Sequence, residues 1–519
     1  MSVKVLTARE AADLIPNGVN LATNGFIGAS FPEEIAMAVE QRFLETGAPN
    51  DLTLLFCAAQ GDSKDKGLNH FAHEGMVRRA IGGHWGLAPK LGKMVAENKI
   101  IAYDFPQGVT AHMFRDAAAH KPGTITHVGL GTFVDPRLLG GKLNDLTREQ
   151  EDLVELMEIG GKEYLFYKNQ PVNFAIISGT YADEDGNISM EHLGVKAEAL
   201  VVAQACKNSG GIVVAQVERV VKAGSLDPQK VEVPGILVDA VVVVSDMKYH
   251  MQTFGTQYNP GFSGEHRMGA GEFTPAPMSP KKIIARRAAL ELKKNGVVNL
   301  GIGIPEYISS VATEEGILND FTLTVESGLT GGSPQSGLDF GASLNPRCIM
   351  SQPSMFDFYQ GGGLDQAFLG FAEGDTEGNV NVSKFGVKLP GCGGFIDISQ
   401  NAKQLFFCGT FTAKGLKTEV KDGALHILSD GSIDKFKTDL EHITFSAKTA
   451  KKNRQPVMYI TERAVFELKE DGLTLIEYAP GVDIEKDIFA HMPQKPLVSS
   501  DLKPMDARIF NEDKMGLSK

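Results

Sequence analysis

The residues of this chain best placed to do chemistry are carboxylates and amides that follow apolar runs among glycines. The clearest case is FTLTVESGLTGGSP (321–334). Phe321 to Val325 reads as a strand, Glu326 stands where it ends, and Gly328, Gly331 and Gly332 follow. Ligands of open α/β sheets sit beyond the carboxyl ends of the strands, so a carboxylate here can meet a ligand with backbone close by. Taken alone, the pattern reads first as a solvated loop glutamate. GIGIP (301–305) closes the preceding strand, and Gly301 and Gly303 leave N–H groups open to an anion or a carbonyl oxygen. A tight strand-to-helix turn would read the same way. GCGGFIDI (391–398), with Gly393 and Gly394, is a second glycine cluster, read as leading into a strand. Gln107, in DFPQG, could donate an amide N–H; a surface glutamine is the plainer reading.

Other chemistries lack their motifs. There is no GxxxxGK[ST] phosphate loop and no GxSxG elbow. Glu306 stands where the third glycine of a dinucleotide fingerprint belongs. His70 and His73 form an HxxH in HFAHEG, but no third ligand accompanies them, so a polar helix face is expected rather than a metal site. The five cysteines, Cys57, Cys206, Cys348, Cys392 and Cys408, are scattered and form no CxxC. No disulfide framework is expected, and a reducing compartment, the cytoplasm, fits. Lys plus Arg is 51 and Asp plus Glu is 64, a net charge of −13 with no basic run, which argues against nucleic-acid and anionic-membrane partners. The N-terminus lacks the apolar core of a signal peptide, and no apolar stretch reaches the length of a membrane span.

The elements that must position these residues alternate between strand and helix. Thr7 and Glu10 make a capping box for a first helix, which Pro16-Asn17-Gly18 ends. VNLATNG (19–25) is a strand, and Pro32 opens a second helix. Further apolar runs at 52–58, 172–179, 199–205, 210–217 and 236–244 read as strands buried on both faces, hence parallel or mixed sheets covered by helices. Ser279 and Pro280 open a helix whose left-handed end is expected at Gly296, followed by the strand VVNLGIGI (297–304).

That sequence of elements repeats the opening of the chain. Asn20 echoes Asn299, YDFPQG (103–108) echoes FDFYQG (356–361), and YADEDGNISM (181–190) echoes AEGDTEGNVNVS (372–383). The echoes keep their order while their offset shrinks, so the first copy carries insertions near 109–170. We expect two homologous open-sheet α/β domains, 1–253 and 281–519, joined by a Gly/Pro-rich linker over 254–280.

The set VNLGIGIP, VESGLTGG, GGGLD, EGNVNVSKFG and GCGGFIDI resembles the second half of class I coenzyme A transferases. NGVNLATNGFIGASFP, FPQGVTAHMFRD and GLGTFVDPR resemble the first half. HFAHEG, SGEHR and YITERAVFELKEDG (459–472) resemble the acetate/propionate branch, which also shows Glu-Ser-Gly where Glu-Asn-Gly is common. Asn24 and Ser30 depart from the family, standing where glycine is usual.

The resemblance implies that Glu326 attacks an acyl-CoA thioester and comes to carry CoA as a γ-glutamyl thioester. Gln107 and the amides of Gly303 and Gly393 would serve as oxyanion donors, the choice among 391–394 staying open. Gly301, Gly303, Gly393 and Gly394 would contact CoA. No metal and no permanently bound cofactor are implied; coenzyme A enters as part of the substrate. The implied partners are short-chain acids (acetate, propionate, butyrate), their CoA esters, and further copies of the chain. In this reading Gln107, from the first domain, faces Glu326, from the second, across a cleft. Lys414 and Lys417 meet CoA phosphates or are simply solvated. Transfer to 3-oxoacids, acyl-CoA hydrolysis and non-catalytic binding of CoA esters are the alternatives.

Overall fold

The Val-, Ile- and Leu-rich runs become strands because β-branched side chains pack well on a pleated surface that is covered on both sides. The computed structural model describes residues 2–58, 60–269 and 274–518, which form two compact units. The first takes 1–268, 325–357 and 384–397; the second takes 269–324, 358–383 and 398–519. This differs from a division at 254–280. The segment that carries Glu326 and the one that carries Gly393 belong with the N-terminal residues.

The first unit is built on β1 (Lys4–Leu6), β2 (Asn20–Thr23), β3 (Leu52–Leu55), β4 (Val77–Gly82), β5 (Ile101–Asp104), β6 (Phe174–Ser178), β7 (Ile212–Val217) and β8 (Ala240–Val243). They pair in the order β1-β8-β7-β6-β2-β3-β4-β5, every pair parallel. The chain runs outward from β2 in one direction and from β6 in the other, so the strand order reverses between β2 and β6. A three-stranded antiparallel sheet (Gly123–Thr126, Lys162–Lys168, Val154–Ile159) fills the region expected to hold insertions.

The second unit repeats the plan with β9 (Val297–Leu300), β10 (Thr322–Val325), β11 (Gln366–Gly370), β12 (Leu405–Cys408) and β13 (Val457–Ile460). The order β10-β9-β11-β12-β13 is again parallel, and its reversal falls between β9 and β11. An antiparallel hairpin, Ala464–Lys469 and Gly472–Tyr478, extends this sheet from β13.

The repeat survives in detail. Asn20 pairs with Thr53, and Asn299 pairs with Thr324. In the paired hairpins the Asn187 amide donates to the Asp183 carboxylate at 2.9 Å and the Asn379 amide to that of Asp375 at 2.8 Å. The echo between YDFPQG and FDFYQG fails: Gln107 opens a helix after β5, whereas FDFYQ lies in the helix Gln352–Gln360.

Local expectations fare unevenly. The Thr7–Glu10 capping box forms, and Ser279 caps the helix Pro280–Ala289 through the Lys282 amide. The run 199–205 is helix, Ala199–Asn208, not strand. Its alanines and valines are buried at helical spacing, and a short apolar run does not distinguish a buried helix from a buried strand. Gly296 is not left-handed; Asn295 is, at φ 63°, beyond a helix that ends at Ala289. GCGGFIDI leads into a helix, Phe395–Asn401, rather than a strand. Of the expected linker, 270–273 lie outside the described residues, and 254–268 is anchored at points along a largely exposed course. Phe254 and Phe262 are buried, and Asn345 clasps the Met268 backbone through both its amide and its carbonyl.

Candidate active site

Where strand order reverses in an open parallel sheet, the loops from the two diverging strands separate and leave a crevice. In the first unit that crevice is bounded by the loop after β2. The Asn24 side chain accepts the Ser178 amide at 3.0 Å and so ties the carboxyl end of β2 to that of β6. The Gln60 side chain donates to the Gly25 carbonyl at 3.0 Å. Ser30 takes the left-handed conformation, φ 59°, and its hydroxyl donates to the Val195 carbonyl at 2.6 Å. The two departures from the family's glycines therefore do not loosen the loop. Asn24 clasps the strands, and Ser30 compensates its conformation with a buried hydrogen bond.

Glu326 follows β10 directly and is partly exposed. The backbone around it is sharply fixed. Gly328 has φ 121°, its amide bonds the Val325 carbonyl at 3.0 Å, and a Cβ on it would lie 2.0 Å from the Met350 carbonyl oxygen. The buried Ser327 hydroxyl donates to the Gly341 carbonyl at 2.6 Å. Val325 and Leu329, on either side of Glu326, share one apolar cluster with Phe26, Ile27, Ala29, Ala58, Val195, Ala197 and Phe340. The carboxylate is thus carried on backbone that packs against the loop leaving the reversal point. Next to Ala197, Glu198 is a second carboxyl, buried, and burial pushes its pKa up to about 8. It stands before an apolar run in the sequence, and only the fold brings it here.

Gln107 and Gly393 meet. Gln107 begins the helix Gln107–Ala118, its amide donates to the Gly393 carbonyl at 2.9 Å, and its side-chain Nε2 is buried with no hydrogen-bond partner. The loop that holds Gly393 lies against 83–86: Trp85 donates to the Pro390 carbonyl at 2.7 Å and Gly393 to the Gly83 carbonyl at 2.5 Å. The Gly393 amide, expected as an oxyanion donor, is therefore engaged by Gly83 in this conformation. Gly394 precedes the first helical turn, where amides have no intrahelical acceptor. Gly108 allows close packing beside Gln107, since a Cβ there would lie 2.5 Å from the Asp397 carboxylate and 2.6 Å from the Phe356 ring.

The remaining candidates belong to the second unit. Gly301 and Gly303 follow β9 at its reversal point. The Gly301 amide donates to the Phe368 carbonyl at 2.8 Å. Gly303 is left-handed at φ 89°, and its amide faces the carboxyl of Glu306, whose pKa burial raises. Lys414 and Lys417 are exposed.

His70 and His73 do not form a polar helix face. His70 is buried between Glu33 and Glu40, at 2.9 and 2.6 Å, and His73 reaches Glu40 at 2.6 Å. Among the described residues, no cluster of three or more His, Cys, Asp or Glu side chains is disposed to hold a metal ion, and no helix is long and apolar enough to cross a membrane.

The profile of the coenzyme A transferase family matches residues 5–244. Over 516 residues the chain is 46% identical to the acetate CoA-transferase YdiF of Escherichia coli strain K12, covering 99% of this chain and 96% of that protein. It is 45% identical over 519 residues to the caffeate CoA-transferase of Acetobacterium woodii, covering 99% and 98%. A crystal structure of the acyl-CoA transferase YdiF of Escherichia coli O157:H7, as a thioester complex with CoA, matches with a TM-score of 0.93 at 45% identity, covering 99% of this chain and 98% of that one. Full-length similarity of this degree, on two parallel sheets of the same plan, makes this chain a member of the coenzyme A transferase family.

Proposed function

We propose that this enzyme moves coenzyme A between short-chain carboxylic acids such as acetate, propionate and butyrate, in a ping-pong reaction through a thioester on Glu326. One observation carries the reading. Glu326 is the carboxylate at the end of β10, on backbone held by the Gly328 turn and packed against the loop from the reversal point.

Each bond change follows from carboxylate chemistry. A Glu326 carboxylate oxygen attacks the thioester carbonyl, the carbon–sulfur bond breaks, and a mixed anhydride and CoA thiolate result. The thiolate attacks the glutamyl carbonyl of the anhydride, the carbon–oxygen bond breaks, and the first acid leaves as its carboxylate. The second acid repeats these steps in reverse and leaves as its CoA ester. No net proton or electron is exchanged, so neither a redox group nor a metal is required. A carboxylate is a weak nucleophile, and fixed geometry offsets this: holding the reactants in contact supplies roughly 7–11 kcal/mol. Each well-placed oxyanion donor adds about 2.7–4 kcal/mol.

Full-length similarity to an acetate CoA-transferase supports a small acyl group. Phe26 and Phe340, with ring centroids 5.8 Å apart, stand with Ile27 and Val195 beside the residues that flank Glu326. The five cysteines are free thiols, in keeping with the reducing cytoplasm as the place of action.

The test is the mass of the intact protein and of its Glu326 peptide after brief mixing with acetyl-CoA without an acceptor acid. A CoA adduct on that peptide, with acetate released, is expected. Steady CoA release without an adduct would make the enzyme a hydrolase. No adduct from acetyl-, butyryl- or acetoacetyl-CoA would overturn the reading.

A further inference from the structure

The 83–86 backbone, against which the Gly393 loop lies, holds another side chain with an unpartnered polar atom. His84 follows β4, between Gly83 and Trp85. Its Nδ1 is buried and has no hydrogen-bond partner. The Gln107 Nε2 is likewise buried and without a partner. Both side chains border Gly393: a Cβ on that residue would lie 3.7 Å from His84 Cδ2 and 3.8 Å from Gln107 Oε1.

The surrounding frame is rigid. Trp85 and Gly86 both donate to the Pro390 carbonyl, at 2.7 and 3.1 Å, and Gly393 donates to Gly83. Gly391, left-handed at φ 77°, leaves room for Trp85, since a Cβ there would lie 2.6 Å from the indole. Gly86 leaves room for the imidazole in the same way, with Nε2 3.2 Å from where its Cβ would stand.

Two buried polar atoms without partners are costly, roughly 1–3 kcal/mol each, unless a ligand completes them. We infer that His84 is a further substrate-binding residue, its Nδ1–H donating to the same acyl oxygen that the Gln107 amide binds. The inference rests on the transfer reaction proposed above. The reacting groups of that reaction, a carboxylate, a thioester carbonyl and an anhydride, offer acceptors only, so the protein must supply donors. Burial lowers the His84 pKa to about 4, which leaves a neutral imidazole with a single N–H to give. A neutral donor stabilises charge on the oxygen without competing with Glu326 as a base or pairing with it as a cation.

The test compares His84→Asn with His84→Leu. The two side chains have nearly the same shape, but only asparagine places an N–H donor close to Nδ1. With both variants folded, as judged by Tm, His84→Leu is expected to lower kcat/KM for transfer to propionate by about 30- to 1,000-fold. His84→Asn should recover at least about tenfold of that loss, within the range for one hydrogen bond to a charged group. Equal kcat/KM in the two variants, at whatever level, would overturn the inference, because shape alone would then explain the position. In the Glu326→Gln enzyme carrying labelled histidine, saturating propionyl-CoA, which that variant is expected to bind without turnover, should shift the His84 Nδ1 resonance; an unmoved resonance would also overturn it. The Glu326 adduct assay on the wild type separates this from the larger reading. Without an adduct the transfer mechanism fails, whereas an adduct together with indifferent His84 variants removes only the role of His84.

Discussion

The carboxyl of Asp104, the last residue of β5, accepts the backbone amide of Cys392 at 3.0 Å across 288 residues of chain. Its other oxygen accepts the Trp85 indole N–H at 3.2 Å. One buried side chain thus pins both strips of backbone that enclose Gln107 and His84. Burial raises its pKa well above the usual carboxylate range, and the N–H groups of Cys392 and Trp85 oppose that shift without reversing it.

Asp104→Asn is expected to turn one of these acceptors into a donor facing another donor. The loss should be about 1–3 kcal/mol in urea unfolding, with a fall in kcat that exceeds any rise in KM as the 390–393 loop loses its anchor. An Asp104→Asn enzyme with wild-type stability and turnover would show that the loop is held by its backbone bonds alone.

Glu326→Gln keeps the shape and removes the carboxylate proposed as the nucleophile. Transfer should fall by at least about 10⁴-fold, as for removal of other catalytic nucleophiles, while acyl-CoA still binds by calorimetry. Glu326→Asp draws the carboxylate back by one methylene and should be nearly as poor. Substantial turnover in fresh Glu326→Gln protein, checked by mass for deamidation, would place the nucleophile elsewhere.

Gly341 accepts the Ser327 hydroxyl and takes φ 102°, and a Cβ on it would lie 2.3 Å from the Phe26 ring. Gly341→Ala should therefore push Phe26 out of the cluster beside Glu326. Destabilisation of about 1–3 kcal/mol is expected from overpacking. The kcat/KM ratio between butyrate and acetate should change as well, measured by competition between the two acids.

His70 has its pKa raised to about 9 by the carboxylates of Glu33 and Glu40, against the opposing effect of burial. A histidine held protonated in the fold gives its full stabilisation below about pH 6.5, the unfolded value, and loses it as pH rises through about 9. The loss is on the order of 3 kcal/mol at most. Glu33 opens the helix that follows the 24–32 loop and also accepts the Gly67 amide at 3.0 Å, so that loop should loosen first. Wild-type Tm should fall between pH 7 and 10, and His70→Gln should start lower and fall less. A wild-type profile as flat as the variant's would mean that His70 is neutral in the fold.

Features written in neighbouring residues could be read from the sequence. Glu326 after an apolar strand, the Thr7–Glu10 box and the Ser279-Pro280 helix start each depend on a few consecutive positions. The hairpins at Asp183 and Asp375 repeat because a short turn fixes its own side-chain bonds. His84, Asp104 and Glu198 carry no such mark. His84 is an ordinary residue until the chain returns at 390–393, and Glu198 reads as the polar edge of an apolar run until burial raises its pKa. The run at 199–205 misleads for a related reason: alternation is absent from a fully buried helix and a fully buried strand alike. The glycine cluster at 391–394 is plain in the sequence, but not that the Gly393 amide meets Gly83.

The first compact unit takes its last segment from 384–397. Gly108 bonds the Asp397 carboxylate at 3.1 Å, a closure 289 residues long. During synthesis at about 5–20 residues per second, those partners emerge about 15–60 seconds apart. Over that interval the nascent N-terminal sheet has no Gly393 for Gln107 and no Cys392 for Asp104. On the ribosome Gln107 and Asp104 wait without the backbone that holds them in the finished chain.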